Sequence, residues 1–225
     1  EAIGNSGLNH RLSLAQFDVD AAKNQRFLEA LDKAKVDVVC LGIESISDKT
    51  LQGYGKRITA EDNKEAVREL RRRGKWVHAM MVFGGKGDDK DVIEETMAWF
   101  NNVKYGPDSI QPFIATPFPG TEFYNEMKAQ GRILTEDWSL YDAQHEVVRF
   151  DHFKPGEVQD AVHRMYGEFF SVKNTLKRVL TYRGNESWKR KTSLVISAYA
   201  NFTGFRKMSR DPQYILHRQF LDSLR

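Results

Sequence analysis

The sequence predicts an α/β fold with a parallel sheet, open or closed into a barrel, followed by a helical C-terminal region. Three observations lead there. Apolar, β-branched runs at residues 36–43, 76–83 and 109–115 have the near-continuous hydrophobicity of strands covered on both faces. Helix-length stretches with one apolar stripe separate these runs, and parallel strands need such crossovers. After Ala115 the alternation stops and the chain reads mostly as helix.

Taken in order, residues 12–17 form a weaker first strand, and residues 22–34 place Phe27, Leu28 and Leu31 on one helical face, with Asp20 as the expected N-cap. The strand at 36–43 follows. Thr59 can cap a helix over 61–73, which Gly74 ends. The strand at 76–83 runs into Gly84-Gly85. A helix at 91–104 carries Val92, Ile93, Met97 and Phe100 on one stripe. The strand at 109–115 leads into Thr116-Pro117-Phe118-Pro119-Gly120-Thr121, a rigid turn, and Thr121 can cap a short helix ending at Gly131. Residues 134–142 read as a loop with aromatic anchors and 145–150 as an edge strand. Pro155 opens a long helix to Tyr182, and the last forty residues are helical with breaks at Gly184 and Gly204.

A chain of 225 residues, 40% hydrophobic, can bury a real core, and an aromatic share of 12% argues against disorder. No apolar run approaches the roughly 18 residues of a membrane span. Cys40 is the single cysteine, so no internal disulfide can form and a reducing cytoplasm is the expected location. One thiolate also cannot hold an iron–sulfur cluster. The start, Glu1-Ala2-Ile3-Gly4, reads as a cut end. From Ser171 onward there are 12 Lys/Arg against 3 Asp/Glu, a net +9. The remainder, 22 against 28, is −6. An acidic body and a basic tail imply two different surfaces.

What narrows the fold is a series of local signatures in order: Leu41-Gly42-Ile43-Glu44-Ser45, Asp48-Lys49-Thr50-Leu51, Gly55-Lys56-Arg57-Ile58-Thr59, Phe83-Gly84-Gly85, the turn 116–121 with Phe123-Tyr124, Gly131-Arg132-Ile133-Leu134 and Asp137-Trp138. This series resembles the second half of radical S-adenosylmethionine (SAM) barrels, most closely the subfamily that often carries an N-terminal cobalamin-binding domain. The resemblance covers residues 15–171 and implies a partial TIM-like (β/α) barrel over 1–150 with a basic helical region over 151–225. It also implies SAM as cofactor, cobalamin as a second one, and a [4Fe–4S] cluster held by a Cys-x3-Cys-x2-Cys loop that belongs upstream and has no counterpart here. The upstream half of the barrel and a cobalamin-binding domain are the implied partners, with a small or lipid-like substrate.

The resemblance places cofactor contacts at Glu44, Ser45, Gly84, Gln111 and Thr116. Glu44 and Ser45 follow a parallel strand, where α/β proteins place their sites. A carboxylate there can accept from ribose hydroxyls, or it can cap the helix near Ser47. Gly84 and Gly85 let backbone approach a ligand closely, or form an ordinary loop. The strand near Ile114-Ala115 can bond an adenine edge with Thr116 facing the site, or Pro117 and Pro119 only shape the crossover. Gln16, Asp18 and Asp20 stand where the subfamily has Gln, Arg and Asp, and no Arg is present. The six histidines lack metal-ligand spacing. Three functional readings follow: part of a radical SAM enzyme, a cluster-less nucleotide-binding barrel remnant, or a basic helical interaction module on an α/β body. In the last reading, Trp188 with Lys189-Arg190-Lys191, and Arg206-Lys207, face a nucleic acid, an anionic lipid or the acidic body.

Overall fold

A computed structural model describes residue 5 and residues 14–181 and 187–225. Its centre is a sheet of four strands, β1 (Leu14–Asp18), β2 (Val38–Glu44), β3 (Trp76–Phe83) and β4 (Ser109–Ile114), in the spatial order β1-β2-β3-β4. Every pairing is parallel, with Val38 opposite both Leu14 and Trp76, and His78 opposite Ser109. Between the strands run α1 (Gln25–Lys33), α2 (Asp48–Gly53), α3 (Ala60–Arg72) and α4 (Lys90–Phe100). After β4 come α5 (Glu122–Ala129), α6 (Glu157–Phe169), α7 (Val172–Thr181), α8 (Ser187–Met208) and α9 (Pro212–Ser223). Residues 12 and 13 of the expected first strand, and Gly184, lie outside the described residues, as do the side chains of Lys189 and Arg190.

The two faces of the sheet differ. Val39, Leu41, Ile43, Val77, Ala79, Met81, Phe83, Ile110 and Ile114 are buried, in one core with Val67 and Leu70 of α3 and Ile93, Met97 and Phe100 of α4. Burying each of these side chains other than Ala79 contributes about 1.5–3 kcal/mol. The alternate residues, including Cys40, Glu44, His78, Met80, Val82, Gln111 and Phe113, are only half-buried, and Leu14, Gln16 and Asp18 are exposed. The sheet therefore has a sealed helical side and an open side that carries most of its polar residues. Among the described residues no second strand pairs with β1.

Local chemistry explains the helix starts. Thr59 Oγ1 accepts from the Asp62 amide at 3.1 Å while Asp62 Oδ2 accepts from the Thr59 amide at 2.8 Å, a reciprocal cap. Asn24 rather than Asp20 caps α1, accepting from the Phe27 amide, because a short 3₁₀ turn over Val19–Lys23 takes up Asp20. The helix expected to run from Pro155 to Tyr182 is two helices. The Ser171 hydroxyl accepts from the Asn174 amide and starts α7 afresh. Gly204 lies inside α8 and does not break it. Residues 145–150 form no strand beyond one antiparallel bridge, Ile133 to Val148. At the outer edge of β4 the Ile114 amide donates to Ala143 O at 2.8 Å, and α6 packs against β4.

The core continues through Val158, Val162, Met165 and Phe169 of α6. The start of α6 is capped from a distance by the buried Glu146, whose carboxylate accepts from the amides of Gly156, Val158 and Gln159 at 2.8–3.2 Å. Three histidines meet nearby. His217 Nε2 bonds Glu146 O at 3.0 Å, His145 packs on His217, and His163 Nδ1 is hydrogen-bonded to the Tyr214 hydroxyl. No group of three or more metal-ligating side chains is present among the described residues.

Burial pushes the Glu146 carboxyl up to about 7 from 4.5, and pushes the His163 imidazole down to about 4 from 6.5. Glu146 therefore contributes stability that is present below pH 4.5 and lost as pH rises through 7. His163 contributes stability that is present above pH 6.5 and lost as pH falls through 4, on the order of 3 kcal/mol. The two oppose each other, so their joint contribution to unfolding free energy should change little between pH 4.5 and 6.5. In urea melts across this range, Glu146→Gln should become less stable on acidification and His163→Gln should become more stable, each relative to the wild type.

Candidate functional site at the strand ends

Parallel strands release the chain at a common edge, so the loops after β2, β3 and β4 become neighbours. Glu44, Ser45, Gly84 and Thr116 all lie at this edge. Glu44 has φ +61°, a left-handed conformation that a non-glycine residue adopts at a penalty of about 1–2 kcal/mol. The pairing of β2 with β3 slips between Gly42 and Glu44, and the Glu44 carboxylate turns back over Gly42, where an added Cβ would sit 3.0 Å from Oε1. Lys56 Nζ lies 3.7 Å from Glu44 Oε1 and 3.2 Å from Asp18 Oδ1, bridging the ends of β2 and β1. Burial raises the Glu44 carboxyl above the ordinary carboxylate range, Lys56 pulls it back, and Asp18 adds a smaller upward push.

Asn63 of α3 holds this turn. Its side-chain amide donates to Ile43 O at 2.8 Å and to Ser45 O at 2.7 Å, one carbonyl on each side of Glu44. Asn63 is fully buried. Ser45 is also buried, and its hydroxyl accepts from the Ser47 amide at 3.1 Å, so Ser45 shapes the turn. The helix start at Ser47 is capped by Ser47 itself, which accepts from the Thr50 amide, and Glu44 takes no part in it.

The next turn is organised by Asp88. Its Oδ2 accepts from the amides of Gly84 and Gly85 at 2.9 and 3.1 Å, and its Oδ1 accepts from the Thr50 hydroxyl at 2.6 Å. Only 2% of Asp88 is exposed. Burial raises its carboxyl above the ordinary range, against these three donors. Gly84 has φ +91°, and the space a Cβ would take there is filled by the Phe150 ring at 2.4 Å. The glycine thus admits an aromatic ring from this chain.

Gly84 and Thr116 line a cleft of about 660 Å³ with Tyr54, Gly85, Phe123 and Phe150. Ion pairs Lys86–Glu126 (2.6 Å) and Arg132–Asp151 (2.8 Å) join residues on its walls. The Thr116 hydroxyl donates to Ile114 O at 2.9 Å. The Tyr54 hydroxyl is buried in the wall with no hydrogen-bond partner among the described residues, and burial holds its pKa far above the usual range. Gln111 is separate from this cleft. It lies on the open face of the sheet, where its Oε1 is 3.3 Å from His78 Nε2, in a smaller hollow with Asp142, Gln144 and Tyr166. Asn63, Tyr54, Lys56 and Asp88 escaped the sequence reading as site residues. Lys56 stood inside the motif Gly55-Lys56-Arg57-Ile58-Thr59, and Asp88 lies three residues beyond Gly85.

A four-stranded parallel sheet with a cleft at the ends of β3 and β4 is the frame of an α/β enzyme barrel or a part of one. Residues 4–100 match the radical SAM superfamily. The chain is 30% identical to bacteriochlorophyllide d C-8(2)-methyltransferase of Chlorobaculum tepidum, over 68% of this chain and 34% of that protein. It is 28% identical to the anaerobic magnesium-protoporphyrin IX monomethyl ester cyclase of Cereibacter sphaeroides, over 74% and 26%. With the hopanoid C-3 methylase of Methylococcus capsulatus it shares 27% identity over 66% and 28%. The fold is similar to the solved structure of Methanocaldococcus infernus Elp3 with an N-terminal deletion, at a TM-score of 0.52 and 19% identity over 68% of this chain and 32% of that one. The chain belongs to the radical SAM superfamily. It spans about a quarter to a third of the length of these relatives.

The Asn63 clamp and the strained Glu44 backbone make opposite predictions. Asn63→Ala takes the side-chain donor from Ser45 O and one of two donors from Ile43 O, which keeps the Ser45 amide, and should lower unfolding free energy by about 1–3 kcal/mol. Glu44→Gly should raise it by about 0.5–1 kcal/mol, the left-handed penalty less the added freedom of glycine in the unfolded chain. Denaturant titration of both variants checks this, and a destabilised Glu44→Gly would show that the turn carries no strain.

Proposed function

We propose that this chain supplies the later strands of a radical SAM barrel and, at their ends, the surface that receives the adenosyl part of SAM. What supports the reading most is the convergence of Glu44, Gly84 and Thr116 at one edge of a parallel sheet, where Gly84 and Thr116 line a cleft whose wall carries a Tyr54 hydroxyl with no partner among the described residues. Backbone strain held at a half-buried carboxylate favours a functional reading of that residue. Glu44 accepts from the ribose hydroxyls, with Lys56 keeping it in place. Asn63 and Asp88 are positioning residues that fix the two turns. The adenine edge meets the Ala115 carbonyl, since both amides and the Ile114 carbonyl are already engaged, and Gln111, on the open face, serves the substrate side.

Bound SAM supplies the radical chemistry of the family through its reductive cleavage. A [4Fe–4S] cluster does not fit the residues of this chain, which has one cysteine where the cluster takes several thiolates. Burial pushes the Cys40 thiol up, away from the thiolate a ligand needs. The cluster belongs to the earlier strands of the barrel, which are the first expected partner, and a cobalamin-binding domain is the second. The relatives' names pair methyl transfer or ring closure with large apolar ring compounds, and a substrate of that class suits Met80, Val82 and Phe113 on the open face.

Losing a charged partner of a buried hydroxyl costs on the order of 1.5–3 kcal/mol. Glu44→Ala should therefore weaken SAM binding roughly 10- to 150-fold in the barrel completed by its earlier strands, measured by calorimetry. Unchanged affinity would remove Glu44 from the site. The chain alone, treated anaerobically with iron and sulfide, should develop no [4Fe–4S] absorption, and stoichiometric cluster formation would overturn the assignment of the ligands.

A further inference from the structure

Helix α7 is amphipathic the wrong way round for a helix packed on a protein body. Its inward side is polar. The buried Arg178 guanidinium donates to Phe169 O and Phe100 O, both at 2.9 Å, and lies 3.4 Å from the Phe169 ring centroid. Asn174 Nδ2 donates to Asn101 Oδ1 at 3.0 Å and to Glu168 O at 2.7 Å. Its outward side is the row Val172, Leu176 and Leu180, spaced i, i+4, i+8 and 73%, 54% and 78% exposed. Beside it, α8 presents Val195, Tyr199 and Phe202, also on one face, with Tyr199 71% exposed. The two rows flank a groove of about 980 Å³ that ends at Arg206, Lys207 and Arg210. Asp211, at the same end, is engaged as the cap of α9.

Charge decides what such a surface can meet. Over the 10 residues of α7 and the 22 of α8 there are 3 and 5 Lys/Arg respectively and no Asp/Glu. A second copy of the same face would set cation against cation. Nucleic acid would match the charge, but the α7 row of Val172, Leu176 and Leu180 offers nothing for bases to stack on. An interfacial membrane helix combines such features: an apolar face that enters the headgroup–acyl boundary, aromatic residues at its level, and flanking Lys/Arg for lipid phosphates.

We propose that α7 and α8 form a peripheral docking surface for an anionic lipid bilayer. The rows Val172/Leu176/Leu180 and Val195/Tyr199/Phe202 enter the interface, and Lys173, Lys177, Arg206, Lys207 and Arg210 meet lipid phosphates. No described helix is long and apolar enough to cross a membrane, so the contact is from one side. The proposal does not depend on where SAM binds.

Flotation of the full chain with vesicles tests it. The chain should float with phosphatidylcholine–phosphatidylglycerol vesicles, stay behind with phosphatidylcholine alone, and be released by high salt. Arg206→Gln/Lys207→Gln/Arg210→Gln should weaken binding about 5-fold per charge removed. Val172→Ser/Leu176→Ser/Leu180→Ser alters only exposed side chains, should keep its circular dichroism, and should abolish flotation. Equal binding to neutral and anionic vesicles, or flotation of both variants like the wild type, would overturn the proposal. So would a dimer in sedimentation velocity that the serine variant dissolves, or displacement from vesicles by an RNA oligomer.

Discussion

The site rim depends on a carboxylate kept away from water. Asp88 takes the first two amides after β3 and the Thr50 hydroxyl of α2, and so ties the end of one strand to the helix that follows its neighbour. A buried carboxylate is tolerated only when its oxygens are occupied by donors. Here the donors are the glycine-rich turn itself, and the turn cannot relax without stranding the charge. Phe150 can rest on Gly84 because that turn is fixed, and the cleft has a wall because Phe150 rests there.

The same logic separates the two faces of the sheet. The helical side is closed by aliphatic packing, which is non-directional and tolerant. The other side and the strand ends are held by directed polar contacts: Asn63 on two carbonyls, Lys56 between two carboxylates, His78 between Ser109 and Gln111. Specific geometry is concentrated where the chain faces open space.

The strands and crossover helices were legible because their signals are local. Runs such as 76–83 and the Thr59 cap declare themselves within a few residues. So was the family, through short signatures in fixed order. The turns were not. Asn63 looks like any polar residue on a helix, and its partners are 18 and 20 positions away. Nothing local reveals that Phe150 fills the space over Gly84, or that Ala143 rather than residues 145–150 meets the end of β4. The basic tail was visible as charge, but the inversion of α7 was not, since the pattern Val172, Leu176, Leu180 gives a stripe without saying which way it faces.

The left-handed backbone at Glu44 has a bearing on how this sequence can drift. Glycine would sit there with less strain, and asparagine would tolerate it better than glutamate does. Selection for a sturdier fold alone would therefore tend to replace the glutamate. A lineage keeping it does so against that gradient, so this position separates the history of the protein's chemistry from the history of its stability. Reconstructed ancestors that differ here would show which of the two came first.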